Sequence, residues 1–191
     1  MMEQIAFFAI GFALALAVVW GVRRFMGFPA QDPQDYAHLG PELDLRARLK
    51  GPLLCQGVIF GPSGRVSSRF NATMNVTWDG RRGTMQERFV YDDGSEMERF
   101  WLIQQFEDGQ VEVEAADVEG TGRGHIIGNA LRLTYRYRLP EENGGHVLNA
   151  TDWMYLLEDG TIINRSQFRK FGILAAELVA TIRPKGDETG A

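Results

Sequence analysis

Cysteine is almost absent from the 191 residues: Cys55 stands alone, so no internal disulfide can form and cysteine usage does not fix the redox compartment. Histidine is scarce too. His38, His125 and His146 are scattered without metal-ligand spacing, so no metal site is expected. An excess of positive charge is also missing. With 20 Lys and Arg against 25 Asp and Glu, the chain carries −5 and lacks the basic face that nucleic acid requires. No long helical crossover separates the strand-like segments, which argues against parallel strand pairs. The opening residues "MMEQ" contain no Lys or Arg, and no lipidatable cysteine follows the first apolar run. A cleaved signal peptide wants a basic start and a small-residue cleavage site, so a retained helix is the preferred reading.

That run, Ile5 to Val22, is uncharged and about the minimum length for a membrane span. Trp20 and Phe25 sit where interfacial aromatics belong, and Arg23-Arg24 follow directly. The expected organisation is a transmembrane anchor over 1–26, a Pro-containing linker over 27–40, a β domain over 41–184 and a polar tail over 185–191. The positive-inside rule places the body of such a single-pass inner-membrane protein in the cytoplasm.

"PELDLRARLKGP" carries helix punctuation: Pro41 suits the first helical position, Glu42 and Asp44 the first turn, Lys50 the last, and Gly51-Pro52 the stop. From Leu54 the period becomes two. In "RVSSRFNATMNVTW", Phe70, Ala72, Met74, Val76 and Trp78 alternate with Arg69, Asn71, Thr73, Asn75 and Thr77. "LRLTYRYRL" sets Leu133, Tyr135 and Tyr137 against Arg132, Arg136 and Arg138 in the same way. Turn clusters such as "DDGS", "EDGQ", "GNA" and "EDGT" separate the strands, each able to close a hairpin. The predicted fold is an all-β, antiparallel up-and-down barrel of about 8–10 strands with one short helix. "ILAAELVATIR" is read as its closing strand, with Leu174, Ala176, Leu178, Ala180 and Ile182 inward.

Within "LNATDWMYL" the inward set is Leu148, Ala150, Asp152, Met154 and Leu156, so an aspartate points into an apolar layer. Asn164 follows Ile162 on the inner face of the next strand. If "YDDGS" forms a three-residue loop with Gly94 left-handed, Glu87 lies opposite Arg99. The same loop form at Gly109 sets Asp117 beside Arg99. A two-residue turn would instead rotate Phe100 and Leu102 inward. Buried charges need partners, so these groups are expected to be paired, hydrogen-bonded or wet. A structural ion network is the competing reading for Arg99 and its acidic flanks.

"GTGRGHIIGN" has glycines at 120, 122, 124 and 128 but no following helix to bind phosphate, so they are assigned to strand bending. "GPSG" lacks the nucleophile-elbow pattern, which leaves Ser63 as a turn residue.

The segments "FVYDDG", "DVEGTGRG", "GNALRLTYRY", "DWMYLLEDGTIINR" and "KFG" resemble a bacterial family, domain of unknown function 3833, from about Asp35 to Ile182. The resemblance implies a lipocalin-like body, membrane association, lipoprotein relatives and gene neighbours that modify lipids. It implies no catalytic residues. Lipoprotein relatives place the body in the periplasm, against the vote of Arg23-Arg24. The leading expectation is a membrane-tethered barrel binding a small hydrophobic, lipid or acyl ligand through Asp152, Arg99, Trp101, Tyr135 and Asn164, with no cofactor, metal or nucleic acid. Two alternatives stand beside it. One is a lipid isomerase or hydratase-like enzyme using Asp152 or Glu87 as acid or base, with Arg99 stabilising an oxyanion. The other is a non-catalytic accessory subunit of a lipid-modifying membrane system, its barrel filled solid.

Overall fold

Three hairpins share one solution to turning. At Tyr91–Ser95, Phe106–Gln110 and Leu157–Thr161 the first residue's amide donates to the last residue's carbonyl at 2.8–2.9 Å. In each, an aspartate (Asp93, Asp108 or Asp159) accepts from the amide two residues on, at 2.8–3.0 Å. A glycine then takes the left-handed conformation that completes a three-residue loop, as Gly94 does at φ 84°.

These loops fix the register of everything between them. A computed structural model describes residues 2–186, in which ten strands follow one another: β1 Gly51–Phe60, β2 Val66–Asp79, β3 Arg82–Tyr91, β4 Glu96–Gln105, β5 Gln110–Ala115, β6 Gly122–Ile127, β7 Ala130–Arg138, β8 Val147–Leu156, β9 Ile162–Lys170 and β10 Ile173–Pro184. Each pairs antiparallel with its neighbours in sequence, and β10 returns to β1, so the sheet is a closed ten-stranded barrel. The predicted alternation holds. Phe70, Met74, Leu133 and Tyr135 are buried, while Asn75, Arg132 and Arg136 are exposed. Phe100 and Leu102 are 46% and 48% exposed, so the longer loop at Gly94 sets the register.

Inside, two glycines of β6 leave space for their neighbours. A Cβ at Gly122 would lie 2.7 Å from Val113 Cγ2, and one at Gly124 2.6 Å from the Arg132 carbonyl. They serve close packing within the wall. At Gly128, φ is 54° and a Cβ would meet the Tyr36 carbonyl at 2.0 Å, so only glycine fits that turn.

Several expectations need correction. The short helix α2 is only Leu45–Arg48, because Asp44 is its N-cap and accepts from the amides of Arg46 (3.0 Å) and Ala47 (3.4 Å). Pro41 to Leu43 lie outside it, held by the Leu43 amide donating to Gly128 O at 2.9 Å. Leu45 and Leu49 are buried and line the barrel interior, and the Trp78 indole donates to Leu49 O at 2.7 Å, so α2 stops one end of the barrel. In β10 the pairing slips between Leu174 and Ala176, which puts Leu174 opposite the outward Arg169 and off the inner face. The linker expected through residue 40 is shorter: Tyr36 already belongs to the barrel unit, its ring 5.1 Å from that of Trp153. Trp153 faces outward by alternation, yet that cover leaves it 1% exposed.

The other compact unit ends at Asp35. It holds helix α1, Met2–Phe25, whose Glu3–Val22 stretch has a mean hydropathy of 2.5. That length and composition suit a membrane span, and a signal peptide passes the same test. Of the polar tail expected over 185–191, residues from 187 on lie outside the described residues.

Candidate functional site

Asp152 lies on the inner face of β8, with Leu133 of β7 opposite it on one side and Ser166 of β9 on the other. It is 7% exposed. The Tyr135 hydroxyl donates to its Oδ2 at 3.0 Å, while Oδ1 has no hydrogen-bond partner. Ser166 sits close enough to favour the ionised carboxylate, but its hydroxyl donates instead to Asn164 Oδ1 at 3.3 Å. Burial dominates. It pushes the Asp152 carboxyl above the ordinary range, against the nearby Ser166 hydroxyl, the Tyr135 hydrogen bond and the pull of Arg99. Tyr135 is pushed well up as well, first by burial and then by the neighbouring Asp152 charge.

Across the barrel, Glu87 pairs with Arg99 in register, as the loop at Gly94 requires. The side chains then diverge. Glu87 Oε2 accepts from the Trp101 indole at 2.8 Å, and burial raises its pKa although Arg99 pulls it down. Arg99 turns to Asp117: Nη2 donates to Oδ1 at 3.0 Å, and Nε lies 2.8 Å from Oδ2, out of line for a hydrogen bond. Its guanidinium also stacks 4.4 Å from the Trp101 ring and 5.4 Å from Tyr137. The expected arrangement of Arg99 between two carboxylates therefore resolves into one direct ion pair and one indole-bound acid. Trp101 and Tyr135 meet edge to face at 5.6 Å and join the two halves.

Asn164 on β9 donates from Nδ2 to the Trp153 carbonyl at 3.2 Å. Together Glu87, Arg99, Trp101, Tyr135, Asp152 and Asn164 border one enclosed cavity of about 100 Å³. Asp117, at the rim, does not. Two lining residues with polar or thiol groups were missed. Ser166 continues the inner series Ile162, Asn164, Phe168, and extending that alternation by one step would have found it. Cys55 is buried in β1 with its thiol pushed up to about 12, by burial first and then by Glu87, which keeps it protonated and unreactive. A larger open concavity, about 870 Å³, mixes inward and outward residues of β2–β4. Glu87 and Arg99 border it as well, together with Asp117, whereas Tyr135, Asp152 and Asn164 face only the smaller cavity.

The enclosed cavity suits some occupants and not others. Arg99 is already neutralised by Asp117, and two further carboxyls share the interior, so an anionic head group would find no free cation. A neutral group that exchanges hydrogen bonds with Asp152 Oδ1 fits the charge pattern. Met74, Met85 and Met154 line the same space with unbranched, adaptable side chains.

A family model described as a protein of unknown function (DUF3833) matches residues 22–184. No curated protein matches the chain by sequence. Among solved structures, the S-type phycobiliprotein lyase CPES from Guillardia theta superposes with a TM-score of 0.56 at 7% identity, covering 83% of this chain and 99% of the lyase. Rv2717c from M. tuberculosis gives 0.48 at 17% identity, covering 78% and 99%. At such identities the likeness to the lyase is one of fold: a lipocalin-like barrel.

Proposed function

The chain belongs to the DUF3833 family of proteins of unknown function, and from that premise we propose that it is a membrane-tethered binding protein whose barrel receives a neutral, mostly apolar amphiphile. One observation carries the reading: a buried carboxyl oxygen, Asp152 Oδ1, borders an enclosed apolar cavity without a partner. A buried polar atom left unbonded is costly, and a ligand hydroxyl or carbonyl there removes the cost. The polar end of the ligand binds Asp152, supported by Tyr135, and its apolar part displaces the methionine side chains. At about 100 Å³ the resting cavity lies below the usual range for small-molecule pockets, so binding widens it. A fatty acid is disfavoured, because Arg99 is committed to Asp117.

Native mass spectrometry of the detergent-extracted chain tests this. The expected spectrum contains an adduct of a neutral lipid, alcohol or glyceride, with fatty acids failing to replace it. Asp152→Asn keeps the size and removes the proton exchange; it is expected to weaken retention on the order of tenfold, the worth of one buried hydrogen bond. Retention of fatty acids equal to that of neutral amphiphiles would defeat the reading.

The tether is α1, kept in the mature protein, with the body on the cytoplasmic side as Arg23-Arg24 favour. The intact mass of the purified protein should include residues 1–24. A mature start beyond them would make the segment a signal peptide.

A further inference from the structure

The β9–β10 hairpin turns on two residues, Phe171 and Gly172, between the paired Lys170 and Ile173. Both central residues are left-handed, at φ 52° and 78°. That turn favours Asn-Gly, and a phenylalanine in its first position is strained. Phe171 gains no packing in return, for it is 90% exposed, and Ile173 is 65% exposed. A strained, fully presented aromatic at a hairpin tip calls for an external partner.

The neighbouring tip shares these properties. Because β1 pairs with β10, the β1–β2 loop lies beside the β9–β10 turn at the barrel end opposite α2. It presents exposed Arg65 and Val66. No Asp or Glu occurs between Phe60 and Ala72 or between Arg165 and Ala176. Lys170 Nζ lies 5.8 Å over the Phe171 ring, and Arg169 Nη1 donates to Gly172 O at 3.0 Å. The β3–β4 and β7–β8 turns of this end are acidic, with Asp93, Glu141 and Glu142 exposed and Asp92 paired with Arg69 at 3.0 Å. Apolar knobs flanked by cations occupy one part of the rim, and carboxylates another.

We infer that the β1–β2 and β9–β10 tips form a second membrane contact, in which Phe171, Ile173 and Val66 enter the interface of an anionic lipid surface and Arg65, Arg169 and Lys170 bind its head groups. Protruding side chains on two narrow tips suit a fluid interface, which needs no shape complementarity. A protein partner would require a broader matching surface, about 800 Å² on each side. Each basic residue near an anionic surface strengthens the attachment, and the acidic turns orient the rim by repulsion. This contact is independent of whatever occupies the barrel.

The test uses the full chain in nanodiscs of phosphatidylcholine, alone or mixed with phosphatidylglycerol, each containing a nitroxide-labelled lipid. A fluorophore is attached at Ile173→Cys or, as control, at Glu142→Cys; buried Cys55 does not compete for the label. Several-fold stronger quenching at 173 than at 142 is expected in the anionic discs, falling with added salt. Phe171→Asp should remove it without lowering the unfolding midpoint, since Asp suits the left-handed position better. Equal quenching at the two positions, quenching indifferent to phosphatidylglycerol, or quenching that survives Phe171→Asp would each overturn the proposal. So would shielding of position 173 by an added protein extract without any quenching by lipid.

Discussion

Asp117→Ala is expected to cost about 3–5 kcal/mol of stability, the range for breaking a buried pair and stranding one charge. The stranded partner is Arg99, whose side chain is 14% exposed and whose guanidinium cannot shed its proton. Glu87 is a poor substitute counter-ion, because its carboxyl is held by Trp101 and burial favours its neutral form. Removing the other partner should hurt less. Arg99→Met leaves Asp117, whose side chain is 25% exposed at the rim and free to hydrate, and lets Glu87 protonate. Its expected cost is about 1–3 kcal/mol, including the lost stacking on Trp101. Urea unfolding of both variants in the same detergent gives the comparison. The reverse order would make Glu87 the principal counter-ion and the Asp117 contact incidental.

Stability should fall as pH rises out of the ordinary carboxylate range. Burial raises the pKa of both Asp152 and Glu87, so the folded chain holds those two protons more tightly than the unfolded chain. The resulting stabilisation is complete below their unfolded values, roughly 4, and is lost as pH climbs through the raised folded values. Within that window each group contributes a slope of about −1.4 kcal/mol per pH unit. The paired substitution Glu87→Gln with Asp152→Asn keeps an acceptor for the Trp101 indole and another for the Tyr135 hydroxyl. It should flatten the profile and make the variant more stable than wild type at neutral pH. Asp93 and Asp159, lowered by their own turn hydrogen bonds, and Asp92, lowered by bonds from the Arg69 amide and side chain, slope the other way but cancel between the two proteins. Parallel profiles would mean that both carboxyls reach water.

Most of the barrel was legible because alternation and turn chemistry are local. Two aspartate-glycine loops, at Gly94 and Gly109, determine which residues face inward over β3 to β5, and hence that Glu87, Arg99 and Trp101 share an interior. What local pattern does not encode is the second partner of each side chain. Glu87 and Arg99 stand opposite each other, yet one chose an indole and the other a rim carboxylate, a decision made by side-chain reach in three dimensions. The burial of Trp153 was illegible for a related reason. Its outer face is covered by Tyr36, more than a hundred residues earlier, and no period within β8 announces that cover. Cavity size was illegible as well, since the residues that line a barrel can equally fill it.

The seam between β1 and β10 has a kinetic meaning. Leu53 lies against Pro184, whereas every other strand pairing joins sequence neighbours. Hairpins β2–β3 through β8–β9 can form as soon as their residues emerge, at the small entropic cost of short loops. The seam must wait for Ile173–Pro184 to be synthesised. Until then β1 and β9 are open edges, each with a row of unpaired amides and carbonyls that a second copy can capture. Release or proteolysis before that segment leaves a nearly complete meander that is sticky along both margins, so the last strand to be made is the one that protects the nine before it.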